Sequence, residues 1–101
     1  MTDTPETLKV SSKSRPKSVA GALSTVVERD HRVALQAIGA GAVNQAVKAI
    51  AIARSYLAPK GLDLVTSIGF ATMTIDGHEK SAIRFDVTSC EAEAKAGAGG
   101  A

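Results

Sequence analysis

Aromatic side chains are nearly missing from this sequence: Tyr56, Phe70 and Phe85 are the whole set, and there is no tryptophan. A chain so poor in rings has to build its core from Val, Ile, Leu and Ala. It also has little with which to stack nucleotide bases. Cys90 is the lone cysteine, which excludes an intrachain disulfide framework. Long apolar runs are lacking too. The longest, "AVKAIAIA", is interrupted by Lys48 and is too short to span a bilayer. The opening "MTDTPETLKV" does not have the basic-then-apolar layout of a signal peptide, so the expectation is a cytoplasmic protein with no membrane contact.

Excess charge is scarce as well. A net charge of +2 with a pI near 8.9 allows a polyanionic partner without demanding one. At 101 residues the chain holds one domain. Domains of this size bury only a little over ~60% of their unfolded surface, so association of subunits would add stability.

Catalytic groups are equally sparse. His31 follows a predicted helix and His78 sits in a predicted turn, with nothing to bring them together. No His/Cys/Asp/Glu spacing matches a metal site and no nucleophile elbow is present. The expectation is therefore a non-enzyme without cofactor or metal.

What is there reads as one folded segment between two loose ends. Residues 1–6 are polar with a proline, and residues 90–101 are Ala/Gly/Glu-rich; both are expected to be disordered, leaving a domain over 7–89. "TLKVSS" alternates and predicts a strand. A helix follows, with Pro16 in its first turn, Ser14 as candidate cap, and Val19, Ala22, Leu23 and Val26 on one face, ending near Asp30. "RVALQAI" predicts a second strand, parallel to the first. "IGAGAVNQAVKAIAIAR" leads into a second helix, about 42–57, with Val43, Ala46, Val47, Ile50, Ala53 and Leu57 inward and Ile52 among the polar residues. Pro59 and Gly61 stop it. "LDLVTSIGFATMTI" and "SAIRFDV" are strand-like, joined across Asp76-Gly77, a strong hairpin signal; Gly69 is a candidate bulge. The order β-α-β-α-β-β predicts an α+β two-layer sandwich: a four-stranded mixed sheet with two helices on one face.

The residues most suggestive of function are cations. Lys9, Lys13, Arg15 and Lys17 punctuate "LKVSSKSRPKS", and no acid intervenes between Thr7 and Glu28. Such a loop suits neutralisation of a phosphate backbone rather than the reading of bases. His78, Lys80 and Arg84 form a smaller cluster on the hairpin, diluted by Glu79 and Asp86. Gly39 and Gly41 match neither a dinucleotide nor a P-loop fingerprint. They read as a tight turn that lets a helix pack closely, with free amides at a helix start that can meet a phosphate. Ile52 on the polar helix face points to another subunit.

The segments "LKVSSKSRPKSVAGAL", "LQAIGAGAVNQAVKAIAIAR", "LAPKGLDL" and "IDGHEKSAIRFDV" resemble the stage V sporulation protein S family from Leu8 to Val87. That family is similar in turn to the Alba family of small dimeric chromatin and RNA-binding proteins. The resemblance implies an Alba-like fold and contact with nucleic acid through the basic residues before the first helix, the start of the second helix and the final hairpin. "SRPKSV" resembles the Alba lysine-lysine-proline segment, placing Ser14 and Arg15 at the lysine positions, with Lys13 and Lys17 beside them. Where Alba proteins commonly carry arginines before the second helix, this chain has Gly39 and Gly41.

The expected role is a nucleic-acid-binding regulator, DNA or RNA, acting as a homodimer or higher homo-oligomer. Lys13, Ser14, Arg15, Lys17 and Lys48 would meet phosphates, Asn44 and Gln45 would hydrogen-bond backbone oxygens, and Lys80 and Arg84 would extend the footprint. The rival is an oligomeric scaffold that recruits a protein of the developmental or septation machinery.

Overall fold

The computed structural model describes residues 4–92. In chain order the elements are β1 (Thr7–Val10), α1 (Pro16–Asp30), β2 (Arg32–Ala37), α2 (Ala40–Leu57), a single 3₁₀ turn (Ala58–Lys60), β3 (Leu62–Ile75) and β4 (His78–Glu91). The sheet order is β1-β2-β4-β3, with β1 parallel to β2 and the other pairs antiparallel. This is the expected α+β architecture.

Strand alternation decides which face the helices cover. Leu8 and Val10, Val33, Leu35 and Ala37, then Phe85 and Val87 fall on one face and stand opposite one another in register. They pack with Leu23 and Val27 of α1 and Leu57 of α2 in one core. The opposite face is polar, carrying Lys9, Gln36 and Arg84 in one cross-strand row.

Both helices are rotated relative to the expected faces. In α2 the buried stripe is Ala42, Ala46, Ala49, Ala53 and Leu57, while Val43 and Ile50 are half-buried and Val47 is exposed. Alanine favours the helix intrinsically and brings its axis close to its neighbours. In α1, Ala20, Ser24 and Val27 are buried while Ala22 is exposed. Ile52, expected to face outward to another subunit, is half-buried and packs against the core, so little of its apolar surface is free.

Three further details differ. The helix α2 begins at Ala40, two residues earlier than expected, so Gly41 lies in its first turn. Gly69 makes no bulge, because β3 and β4 pair one-to-one from Leu62–Glu91 to Ile75–His78. The domain is longer than 7–89: β4 runs through Cys90 to Glu91, and Glu6 binds Arg29 at 2.7 Å while its carbonyl accepts from Ala34 N–H. Residues 1–3 and 93–101 of the expected disordered ends lie outside the described residues.

The turns follow the sequence closely. Asp76 and Gly77 both have positive φ (52° and 80°), the conformation of a tight two-residue hairpin turn that follows sheet twist. Gly61, at φ 78°, ends the 3₁₀ turn after Pro59. At the lower end of the sheet, Arg54 of α2 grips Asp63 of β3 through two bonds of 2.6 and 3.0 Å. The guanidinium, helped by Leu64 N–H, holds the Asp63 carboxyl below its ordinary range. That pair turns the Arg54 flank of α2 toward β3.

Candidate nucleic-acid interface

Three segments meet at one end of the sheet. The loop 11–15 leaves the C-terminal end of β1, and Ile38-Gly39 leaves the same end of β2 to start α2. The register puts Ala37 beside Ile83, so the β3–β4 arm beyond Ala71 and Ala82 projects past both. A hollow of about 320 Å³ between loop and arm is lined by Lys9, Ser11, Ser12, Ile38, Met73 and Ile75, among others.

Gly41 explains how the loop sits so close to α2. A Cβ there would lie 3.0 Å from the Ser12 Cβ, tighter than nearly all such contacts, so the loop would have to give by a few tenths of an ångström. Gly39 does a different job, opening the helix with φ 92°, a backbone shape that side chains rarely accept. The glycine run thus forms the close-packed start of α2. Replacing Gly41 by Val should cost about 1–3 kcal/mol through overpacking. Adding Ser12→Gly should recover most of that loss, as read by denaturant unfolding; no recovery would mean that the Ser12 contact is not the constraint.

Two residues expected on phosphates are instead engaged inside the protein. Gln45 donates from Nε2 to the Ser14 carbonyl at 2.8 Å, tying the loop to α2. Ser14 Oγ accepts from Ser11 N–H at 2.9 Å, and Ser11 Oγ accepts from Lys13 N–H at 3.1 Å. Ser14 therefore shapes the turn and does not cap α1. The N-cap is Arg15, whose side chain makes no capping bond.

Both helix starts are left electrically open. Neither α1 nor α2 has an acid in its first turn or a side chain bonded to its free amides. Arg15 and Lys17 stand at the positive end of α1, where a cation is disfavoured by ~0.3–1 kcal/mol. The fold keeps cations where an anion would be at home.

Ion pairing separates the cations into two groups. Arg29, Arg54, Lys60 and Arg84 each hold a carboxylate, with N–O distances of 2.6–2.9 Å. Arg84, expected to extend the hairpin footprint, is tied to Asp86 on the polar sheet face, below the arm. Lys13, Arg15, Lys17, Lys48 and Lys80 are exposed and hold no carboxylate among the described residues. Asn44 and Lys48 share the flank of α2 that carries Gly41, and both are exposed. Arg15 lines a groove beside β1 with Lys9, so the cations fan around the start of α1 instead of forming a flat row.

One surface was not anticipated. Ile68 and Phe70 of β3 stand opposite Phe85 and Ile83 on the helix-bearing face, yet they are 65% and 85% exposed. Beside them runs the Arg54 flank of α2, where Val47 is 49% exposed and Val43 and Ile50 are half-buried. A readable signal existed: β3 carries large apolar residues on both parities, Val65 on one and Ile68 and Phe70 on the other, although it lies at a sheet edge.

The sequence profile of the stage V sporulation protein S family matches residues 6–90. Among solved structures, the fold is similar to Alba from Thermoplasma volcanium, with a TM-score of 0.56 at 15% identity, covering 85% of this chain and 100% of that one. At that identity the likeness establishes the fold alone. No helix among the described residues is long and apolar enough to cross a membrane.

Proposed function

The chain belongs to the stage V sporulation protein S family, and from that premise we propose that it is a non-enzymatic regulatory protein that binds the phosphate backbone of nucleic acid. The observation that carries this reading is the segregation of ion pairs. Arg29, Arg54, Lys60 and Arg84 hold carboxylates, while Lys13, Arg15, Lys17, Lys48 and Lys80 hold none among the described residues. The first three stand about the uncapped start of α1, Lys48 lies on the flank of α2 beyond its uncapped start, and Lys80 sits on the hairpin arm at the same end of the sheet. Phosphate oxygens would meet the lysines and arginine, the free amides of the first turns and the exposed amide of Asn44. Gln45 and Ser14 contribute by holding the loop in place.

Base reading has little support in this surface. The three aromatic residues, Tyr56, Phe70 and Phe85, lie outside the set of residues assigned to phosphate, so stacking on bases is not provided for. Binding is expected to be independent of sequence. Fluorescence polarisation at low salt with duplexes of unrelated sequence should give dissociation constants within a few-fold of one another. A strong preference for one sequence would contradict the backbone reading, and no binding to DNA or RNA would remove it.

The assembly we propose is a homodimer through Val47, Ile68 and Phe70. An apolar patch left open by the helices is a mark of association. The patch lies on the α2–β3 side of the molecule, away from the loop 11–15, so two subunits joined there would each keep their cations free.

A further inference from the structure

The four-residue strand β1 forms an open edge of the sheet, and nothing among the described residues pairs with its outer side. In the parallel ladder with β2, Ala34 N–H donates to Glu6 O, so residues 6, 8 and 10 turn their backbone groups toward β2. Thr7 and Lys9, between them, turn their N–H and C=O groups outward. Alongside this edge runs a groove of about 440 Å³ between β1 and the flank of α1.

The groove has two chemically distinct sides. Its floor is apolar: Leu8 and Val19 are half-buried, and Ala22 is exposed on α1. Its upper rim carries Lys9 and Arg15, neither of which holds a carboxylate. At the lower end the edge is closed electrostatically, because Arg29 already takes Glu6 and Asp30. Native proteins usually blunt an open edge or pair it. Lys9 protects this one against a second basic edge, but it invites an acidic one.

We propose that the β1 edge docks an extended acidic segment of a protein partner by strand addition. The partner's backbone would pair with Thr7 and Lys9. Its inward side chains, on the helix side, would be apolar and would lie against Leu8, Val19 and Ala22. Its outward side chains would be carboxylates beside Lys9, with a further one reaching Arg15 at the top. The recognised pattern is thus an alternation of β-branched and acidic residues, in which main-chain bonds supply affinity and the alternate side chains supply selectivity. The docking surface shares Arg15 with the phosphate-binding set but none of its lysines, and its strand-pairing edge at Thr7 and Lys9 stands whether or not nucleic acid binds.

The probe is a labelled octapeptide alternating valine and aspartate, read by polarisation against the full chain. Saturable binding in the range of about 10–100 μM is expected. Lys9→Pro removes the outward N–H without touching the ladder to β2, and Ala22→Gln fills the groove from an exposed helix position that tolerates glutamine. Each should weaken the peptide at least tenfold. The same peptide with prolines in place of its central valines keeps its charge but cannot form a strand, and it should not bind. Equal binding of both peptides would overturn the proposal, as would no binding up to ~1 mM. So would variants that leave the peptide unaffected and instead weaken duplex DNA, which would assign the groove to nucleic acid.

Discussion

Replacing Lys13, Arg15 and Lys17 together by alanine is expected to weaken nucleic-acid binding by two to three orders of magnitude per subunit near 0.1 M salt. The size follows from counterion release. Each neutralised phosphate contributes about 0.9 to the slope of log K against log salt on duplex DNA, hence close to one log unit of affinity at 0.1 M relative to 1 M. Three such contacts give the stated loss. The fold should be indifferent or slightly stabilised. All three side chains are exposed and hold no carboxylate, and removing Arg15 and Lys17 relieves the positive end of α1. Circular dichroism should therefore show an intact protein that no longer shifts polarisation. An intact triple variant with near-normal affinity would mean that phosphates dock elsewhere.

Phe70→Asp should break the proposed dimer while sparing the subunit. Phe70 is 85% exposed in the single chain, so its loss costs little in folding. Across a two-fold interface each residue is lost twice, once per copy. Buried aromatic anchors are worth ~2–4 kcal/mol each, so the two copies together correspond to a dissociation constant raised by at least about 1,000-fold. Aspartates brought together at the same place would add repulsion. Sedimentation equilibrium should then report a monomer at concentrations where the parent is a dimer. A variant with unchanged mass would move the interface away from β3.

The two effects are coupled through valency. A dimer presents two basic ends to one polymer, so loss of the dimer should also lower apparent affinity for long nucleic acid more than for short. Lengths too short to reach both ends should be bound alike by the parent and the Phe70→Asp variant.

Much of the architecture was legible because its signals are local. Asp76-Gly77 sits between alternating runs, Pro59 and Gly61 end α2, and Pro16 opens α1; each acts through its own backbone geometry. The gathering of the basic loop, the α2 start and the hairpin at one end follows from the element order and strand pairing. What was not legible depends on distant partners. The α2 helix is so rich in Ala, Val and Ile that periodicity cannot select its buried side, and the sheet chose the alanines. That choice hid Ile52 and exposed Val47. The engagement of Gln45 with Ser14 spans 31 residues and leaves no mark in either segment. Arg84 and Asp86, two apart on one strand, share a face and pair. Alternation could have revealed this, and it takes Arg84 out of the set of free cations. Gly69 shows the opposite case: a glycine that suggests irregularity but sits in a continuous ladder.

The most direct test of the account is the salt dependence of affinity for a short duplex that engages a single subunit. The five unpaired cations assigned to phosphate, not all of which reach it at once, predict a slope of log K against log salt of roughly −3 to −5. The slope should fall to about 0 to −2 when Lys13, Arg15 and Lys17 are replaced. A parent slope near zero would contradict the claim that unpaired cations around the two helix starts bind a phosphate backbone.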